Sequence, residues 1–116
     1  MQPVIYGIPN CDSVKKARQW LTNHAIAYSF VDLRQTPPSR ERLGLWIDCV
    51  GAKLLINKRS TTWKNMPYEE QQETECGDTL AVLLKHSTLI KRPVLEHVGD
   101  IVVGFNADKY AQRFNL

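Results

Sequence analysis

The chain has no long apolar run, only three cysteines in 116 residues, and a net charge of just +3. Its apolar runs fall short of the roughly 20 residues that a membrane-spanning helix needs, and its N-terminus lacks the layout of a signal peptide. We therefore expect a cytoplasmic protein that makes no membrane contact. The small net charge does not indicate nucleic-acid binding, and the predicted strands carry mostly aliphatic residues instead of interleaved basic and aromatic ones.

The cysteines are too few and too irregularly spaced for a disulfide framework or a metal site. We expect free thiols, with no bound metal or cofactor. Cys49 lies on or beside the apolar face of a predicted helix, which predicts a buried structural cysteine. Cys76 lies in the acidic stretch YEEQQETECGD, whose charges disfavour a thiolate, so a role as a resolving thiol is the weaker alternative.

Hydrophobic periodicity predicts a β-α-β unit at the start of the chain. PVIYGI (3–8) and AYSFVDL (27–33) have the short apolar and β-branched composition of strands. The segment between them predicts a helix that ends near Asn23, with an apolar face made by Val14, Ala17 and Leu21.

The end of the chain predicts two strands and a helix. PVLEHV (93–98) and IVVGF (101–105) are strand-like, and Gly99-Asp100 is the expected hairpin turn between them. A C-terminal helix then has one face made by Tyr110, Ala111 and Phe114.

The region between these two parts, about 38–88, predicts mainly helices. One runs from Ser39 to Gly51, and another begins at Asp78 as its N-cap. The order β-α-β then β-β-α predicts an α/β, thioredoxin-like fold with a four-stranded mixed sheet. We expect one domain, 1–116, with the region 38–88 as a helical insertion, and a monomer.

Cys11 is the strongest candidate for a functional residue because it stands between the first predicted strand and the helix. A thiol there meets unpaired N–H groups and the positive end of the helix dipole, which favour the reactive thiolate. Asn10 is the predicted N-cap, and Lys15 adds positive potential one turn along. The alternative is a small apolar residue that fills a corner. Val14 stands where a Cys-x-x-Cys pair would place its second thiol, so a resolving thiol comes from a distant cysteine or from an external thiol.

Arg59 and Arg92 each follow a lysine outside the predicted helices, in NKRST and IKRPV. A guanidinium offers a planar set of donors that matches a carboxylate or an oxyanion. Either arginine alone is also compatible with an ordinary surface residue. Pro93, directly after Arg92, opens a strand, and its peptide bond can be cis.

Together these segments resemble the arsenate reductase (ArsC)/Spx family, and in particular its YffB-type branch of small bacterial thiol reductases. The similar segments span nearly the whole chain: VIYGIPNCDSVKKARQWL, VDLR, LLINKRSTTWK and STLIKRPVLEHVGDIVVGF. The resemblance implies a thioredoxin-like fold with a helical insertion and a redox role for Cys11. It also implies that Arg59 and Arg92 bind an oxyanion and that Pro93 is a cis-proline.

The chain departs from two groups within this family. Glutaredoxin-coupled arsenate reductases carry a third arginine after the last strand, where this chain has Phe105 and Asn106, and a histidine shortly before the cysteine, which this chain lacks. Spx regulators, which bind the α subunit of RNA polymerase, typically carry a Cys-x-x-Cys switch, which Val14 removes here.

We therefore expect a glutathione-dependent thiol reductase with Cys11 as its nucleophile. Glutathione is the expected co-substrate, glutathione or glutaredoxin is the expected partner, and the residues expected to contact the substrate are Asn10, Lys15, Arg59, Arg92 and Pro93. Two alternatives stay open: a glutaredoxin-coupled arsenate reductase, and an Spx-like regulator that binds RNA polymerase.

Overall fold

In the computed structural model, which describes residues 2–116, the chain divides into two compact units. One contains the segments up to Leu33 and from Arg92 onward, and the other is Arg34–Lys91. The first unit holds all four strands, and the second holds helices alone with two short 3₁₀ turns. The predicted insertion, 38–88, falls inside the range of the second unit, while the assignment of a single domain stays a prediction.

The first unit contains a four-stranded mixed sheet in the order β2-β1-β3-β4. Its strands are β1 (Val4–Gly7), β2 (Ser29–Asp32), β3 (Val94–His97) and β4 (Asp100–Val103). β1 and β2 are parallel, whereas β1 pairs antiparallel with β3 and β3 with β4. This arrangement is an α/β, thioredoxin-like fold, as the order of the predicted elements indicated.

Two helices complete this unit, α1 (Asp12–Asn23) and α6 (Ala107–Arg113). The predicted apolar face of α1 is confirmed, because Val14, Ala17 and Leu21 are all fully buried. One core cluster of fully buried side chains draws on both helices and on two strands: Ile5, Ala17, Leu21, Leu95 and Tyr110. Burial of apolar side chains, which is the dominant favourable contribution to folding, therefore holds α1 and α6 in position.

The hairpin between β3 and β4 turns at Val98-Gly99, so the predicted turn at Gly99-Asp100 is wrong by one residue. His97 pairs with Asp100, which is therefore the first residue of β4. Both turn residues have positive φ, 51° at Val98 and 80° at Gly99. Such a turn matches the twist of the two strands, but valine is rarely found in it, and the sequence pattern consequently favoured the next pair along.

Tyr110 carries a buried hydroxyl group in the middle of this unit. Its side chain is fully buried, and its ring meets Trp20 and Phe105 edge to face. Within residues 2–116 the hydroxyl oxygen has no hydrogen-bond partner. Burial raises the pKa of Tyr110 well above the ordinary value for a tyrosine, because the phenolate would lose its hydration there.

The second unit contains four helices, α2 (Arg40–Val50), α3 (Thr61–Lys64), α4 (Tyr68–Cys76) and α5 (Thr79–Lys85). Three of them begin at a side-chain cap of the kind that satisfies the free N–H groups of a first turn: Ser39, Ser60 and Asp78 accept from Arg42, Trp63 and Ala81. Gly51 ends α2 with a φ of 89°, which confirms the predicted helix from Ser39 to Gly51.

A short antiparallel contact ties two loops of this second unit together. Ile56 and Ile90 form an isolated bridge, and the backbone N–H groups of Asn57 and Lys91 donate to the carbonyls of Leu89 and Leu55 at 2.7 Å each. The contact fixes the stretch just before Arg59. No helix in residues 2–116 has the length and apolarity that crossing a membrane requires.

Candidate functional site

Cys11 lies where β1 passes into α1, and it is itself the N-cap of that helix. Its backbone is extended, with φ −104° and ψ 125°, and its carbonyl accepts the N–H of Lys15 at 2.9 Å. The prediction that Asn10 caps the helix is therefore wrong. The first helical hydrogen bond starts at the carbonyl of Cys11, and Asn10 lies one residue earlier in an exposed turn.

The thiol of Cys11 is half-buried, and it makes no capping hydrogen bond within the described chain. The N–H groups of the first turn have no acceptor inside the helix itself, as at every helix N-terminus. An anion at the sulfur position would gain from those donors and from the helix dipole. Asp12 is a competing negative charge in the same turn, and Lys15 is exposed one turn along the helix.

Val14 is held in place by contact with Gly7. A Cβ atom built on Gly7 would lie 2.5 Å from Cγ2 of Val14 and 3.2 Å from its Cγ1. The absence of a side chain on Gly7 thus lets the first turn of α1 pack directly on the end of β1. The residue at the position of the second thiol of a Cys-x-x-Cys pair is therefore a fully buried valine that packs against the end of β1.

Arg92 and Pro93 lie at the same end of the sheet as the turn that leads to Cys11. In the antiparallel pair of β1 and β3, Tyr6 stands opposite Val94, so the end of β1 and the start of β3 adjoin. The bond between Arg92 and Pro93 is cis, as the resemblance implied, and Pro93 is buried, with its carbonyl accepting from Gly104 at 2.8 Å. Arg92 is half-buried. The structure thus brings these two predicted residues to the end of the strand beside β1.

Arg59 belongs to the other unit, where it lies exposed in the loop before α3. Its backbone N–H donates to Oδ1 of Asn57 at 3.1 Å. Sequence reasoning singled out Arg59 but missed Asn57 and Gly7. Each could have been found from a feature of the sequence. Asn57 is an amide residue two positions before the arginine, which is typical of a turn. Gly7 is a glycine at the end of a predicted strand, which is typical of a close backbone approach.

The other two cysteines are both exposed. For Cys49 the prediction of a buried structural residue is wrong, because α2 buries Leu43 and Trp46 and leaves Cys49 on the solvent side of that stripe. Cys76 is the last residue of α4, next to Glu75. Both thiols are accessible, and each is a natural internal reference for the reactivity of Cys11. Among the described residues, no group of three or more histidine, cysteine or acidic side chains could hold a metal ion.

Comparison with known proteins finds one family over almost the whole chain. The model of the ArsC family matches residues 6–113. An uncharacterised protein of Haemophilus influenzae is 38% identical over 95% of this chain and 96% of its own length. The regulatory protein MgsR of Bacillus subtilis is 30% identical over 90% of this chain and 84% of its own length.

Two solved structures have both a similar sequence and a similar fold. The YFFB protein superposes with a TM-score of 0.88 and 36% identity, covering 96% of this chain and 97% of that one. An arsenate reductase (ArsC) related protein from Brucella melitensis has a TM-score of 0.78 and 35% identity, covering 100% and 97%. The relatives thus include both a protein related to a reductase and a regulator.

Proposed function

Because the chain belongs to the ArsC family, we propose that it is a thiol reductase that uses Cys11 as its single nucleophile and glutathione as the reductant. One observation carries the proposal: Cys11 caps α1 with a half-buried thiol that has no capping bond in residues 2–116, while the position of a second thiol is filled by buried Val14. A nucleophile without an internal partner needs an external thiol to complete its cycle.

The proposed reaction has two balanced steps. In the first, the Cys11 thiolate attacks a mixed disulfide of glutathione and a substrate thiol; the Cys11 sulfur binds the glutathione sulfur, and the substrate leaves as a thiolate. In the second, a glutathione thiolate attacks this adduct, which releases oxidised glutathione and restores Cys11. In total the substrate mixed disulfide and one glutathione thiolate are converted into the substrate thiolate and oxidised glutathione, so one glutathione thiol is oxidised for each substrate thiol released.

The anionic groups of glutathione are the proposed ligands of the basic residues. Its glycine and γ-glutamyl carboxylates suit the planar donors of Arg92 and Arg59, while Lys15 supports the thiolate. Asn10 and Pro93 would contact the substrate backbone beside Cys11 and Arg92. The proposed role of Arg92 is supported by its position just before β3, the strand that pairs with β1. The proposed role of Arg59 is supported by the motif NKRST.

The test is the formation of a glutathione adduct, followed by intact mass and peptide mapping. Oxidised glutathione is added to the wild-type chain and to Cys11→Ser, Cys49→Ser and Cys76→Ser. We expect the main adduct on Cys11, its loss in Cys11→Ser and its persistence in the other two variants. Turnover of a glutathione mixed disulfide, coupled to NADPH through glutathione reductase, should follow the same pattern. An adduct yield unchanged by Cys11→Ser would exclude the proposal.

A regulator is the second candidate, and the similarity to the regulatory protein MgsR favours it; the partner that the resemblance to Spx implies is RNA polymerase. It predicts that the C-terminal domain of the polymerase α chain captures this protein, without turnover. Binding that persists in Cys11→Ser, together with no reductase activity in the wild type, would establish this candidate in place of the first. Arsenate added to the same coupled assay with glutaredoxin tests the remaining alternative, because an arsenate reductase would consume NADPH only when Cys11 is present.

A further inference from the structure

The loop that carries Arg59 is fixed by the residues around it. The backbone N–H of Asn57 donates to the carbonyl of Leu89 at 2.7 Å, within the bridge between the two loops of the second unit. The carbonyl of Asn57 accepts from the backbone N–H and the hydroxyl of Ser60, at 3.2 and 2.8 Å. Ser60 in turn caps α3 through Trp63, so both ends of the four-residue loop are anchored.

Lys58, the other cation of this loop, is engaged elsewhere. Its ammonium group lies 2.9 Å from a carboxylate oxygen of Glu75 on α4 and 5.8 Å from the centre of the Trp63 ring. An ammonium that is already paired and placed near an aromatic ring is less available to an external anion. The pairing with Glu75 therefore leaves the Lys58 ammonium less available to an external anion than an unpaired cation of the same loop would be.

Arg59 is the one member of the loop whose side chain remains available. It is exposed, and within residues 2–116 its guanidinium makes no hydrogen bond or ion pair. Its backbone, in contrast, is held: the N–H of Arg59 donates to the side-chain oxygen of Asn57 at 3.1 Å. The Asn57 side chain thus fixes the backbone from which the guanidinium projects, and this is its only hydrogen bond among the described residues.

We propose that Asn57 is a positioning residue for Arg59 in binding the carboxylates of a glutathione-type ligand. The inference rests on the proposed function, because it assumes that Arg59 meets such an anion. Holding the backbone of Arg59 before binding lowers the entropy that is lost when the guanidinium is immobilised on the ligand. Asn57 needs no contact with the ligand in order to have this effect.

The chain offers a clean way to separate this role from stability. Asn57→Ala removes the acceptor for Arg59 but keeps the backbone bonds of residue 57, and Asn57→Asp keeps an acceptor oxygen in place. Asn65→Ala, at an exposed asparagine just after α3, is the matched control. The probe is S-methylglutathione, which carries both carboxylates but cannot form a disulfide, with its affinity measured by calorimetry.

We expect Arg59→Ala to weaken this affinity about tenfold or more, as for loss of a charge-assisted hydrogen bond. Asn57→Ala should weaken it about three- to tenfold, with the thermal midpoint and the kcat for a mixed disulfide unchanged but KM raised. Asn65→Ala should bind like the wild type, and so should Asn57→Asp when all chains are compared at a salt concentration that screens the negative charge this variant adds beside the anionic ligand. Wild-type affinity in Asn57→Ala beside a weakened Arg59→Ala would overturn the positioning role and leave the reductase proposal intact.

Two further results separate the two proposals. If S-methylglutathione does not bind the wild-type chain, or binds equally well to Arg59→Ala, Arg59 has no ligand to be positioned for and the inference fails. If the ligand binds with the expected dependence on Asn57 and Arg59 but no mixed disulfide is turned over, the positioning role stands and the reductase function fails.

Discussion

Gly7 lies so close to Val14 that a Cβ atom on the glycine would be 2.5 Å from Cγ2 of the valine. The side chain of Val14 cannot easily rotate away from such an atom, because a β-branched residue has one preferred rotamer in a helix and Val14 is fully buried. The contact sets how closely the first turn of α1, which Cys11 caps, approaches the end of β1.

Gly7→Ala should therefore destabilise the protein by about 1–3 kcal/mol, the usual cost of overpacking a core. Urea unfolding measures the change. Gly44→Ala is the control, since a Cβ there meets nothing within 4 Å and a helical glycine replaced by alanine should add about 0.5–1 kcal/mol. In a Val14→Ala background, the cost of Gly7→Ala should shrink; an undiminished cost would show that the clash lies elsewhere.

Val14→Cys should convert the site into one that resolves its own mixed disulfide. The change places a second thiol three residues after Cys11, at the same turn of α1, in the spacing of a Cys-x-x-Cys pair. After treatment with oxidised glutathione, the variant should contain a disulfide between Cys11 and the introduced thiol in place of the adduct on Cys11, as read by intact mass and tryptic mapping. A stable adduct in the variant would mean that the buried position is out of reach of the Cys11 sulfur.

The charges of the first turn should tune the reactivity of Cys11. Asp12 places a negative charge next to the thiol, so Asp12→Asn should raise the rate of alkylation by iodoacetamide at neutral pH. Lys15→Gln should lower it. Both changes should be about two- to threefold, because exposed charges interact weakly in water. The measurement uses chains that also carry Cys49→Ser and Cys76→Ser, and equal rates in all three would show that charge at this turn has no influence.

The part of the fold that could be predicted is the part where one apolar face decides the structure. Val14, Ala17 and Leu21 repeat at helical spacing, and all three are fully buried. Ser39 and Gly51 bounded α2 because a capping hydroxyl and a glycine with positive φ are local signals that need no knowledge of the rest of the chain.

The wrong predictions depend on tertiary context. Cys49 lies about 60° round α2 from Trp46, close enough to seem part of the apolar face and far enough to be exposed. Val98 adopts a φ of 51° that valine disfavours, so the strand pairing and not the turn residues decides where the hairpin turns. The hydrogen bond from the backbone N–H of Arg59 to Oδ1 of Asn57 could be found only from the distance between these two atoms in the structure.

Tyr110→Phe should stabilise the protein, which is unusual for a change in a core. The hydroxyl is buried, and within the described residues it has no partner, so the folded state bears the desolvation cost of that group, about 1–3 kcal/mol. Phenylalanine keeps the ring and its edge contacts to Trp20 and Phe105. We expect a gain of about 1 kcal/mol in urea unfolding. Tyr6→Phe should go the other way, since that hydroxyl donates to Glu96 at 3.2 Å, and a loss in both variants would contradict the prediction.

The same hydroxyl predicts a loss of stability at alkaline pH. Burial raises the pKa of Tyr110 in the folded state, whereas in the unfolded chain a tyrosine titrates near 10. Below about pH 10 the Tyr110 hydroxyl is protonated in both the folded and the unfolded state, so its titration does not lower the free energy of unfolding. Above about pH 10 the unfolded state releases its proton first, so the free energy of unfolding should fall by about 1.4 kcal/mol per pH unit from this group.

Tyr110→Phe should lack this fall in the free energy of unfolding, whereas Tyr68→Phe, at a side chain that is 72% exposed, should retain it. Urea unfolding of the three chains between about pH 9 and about pH 11 isolates the difference, and parallel curves for wild type and Tyr110→Phe would refute it.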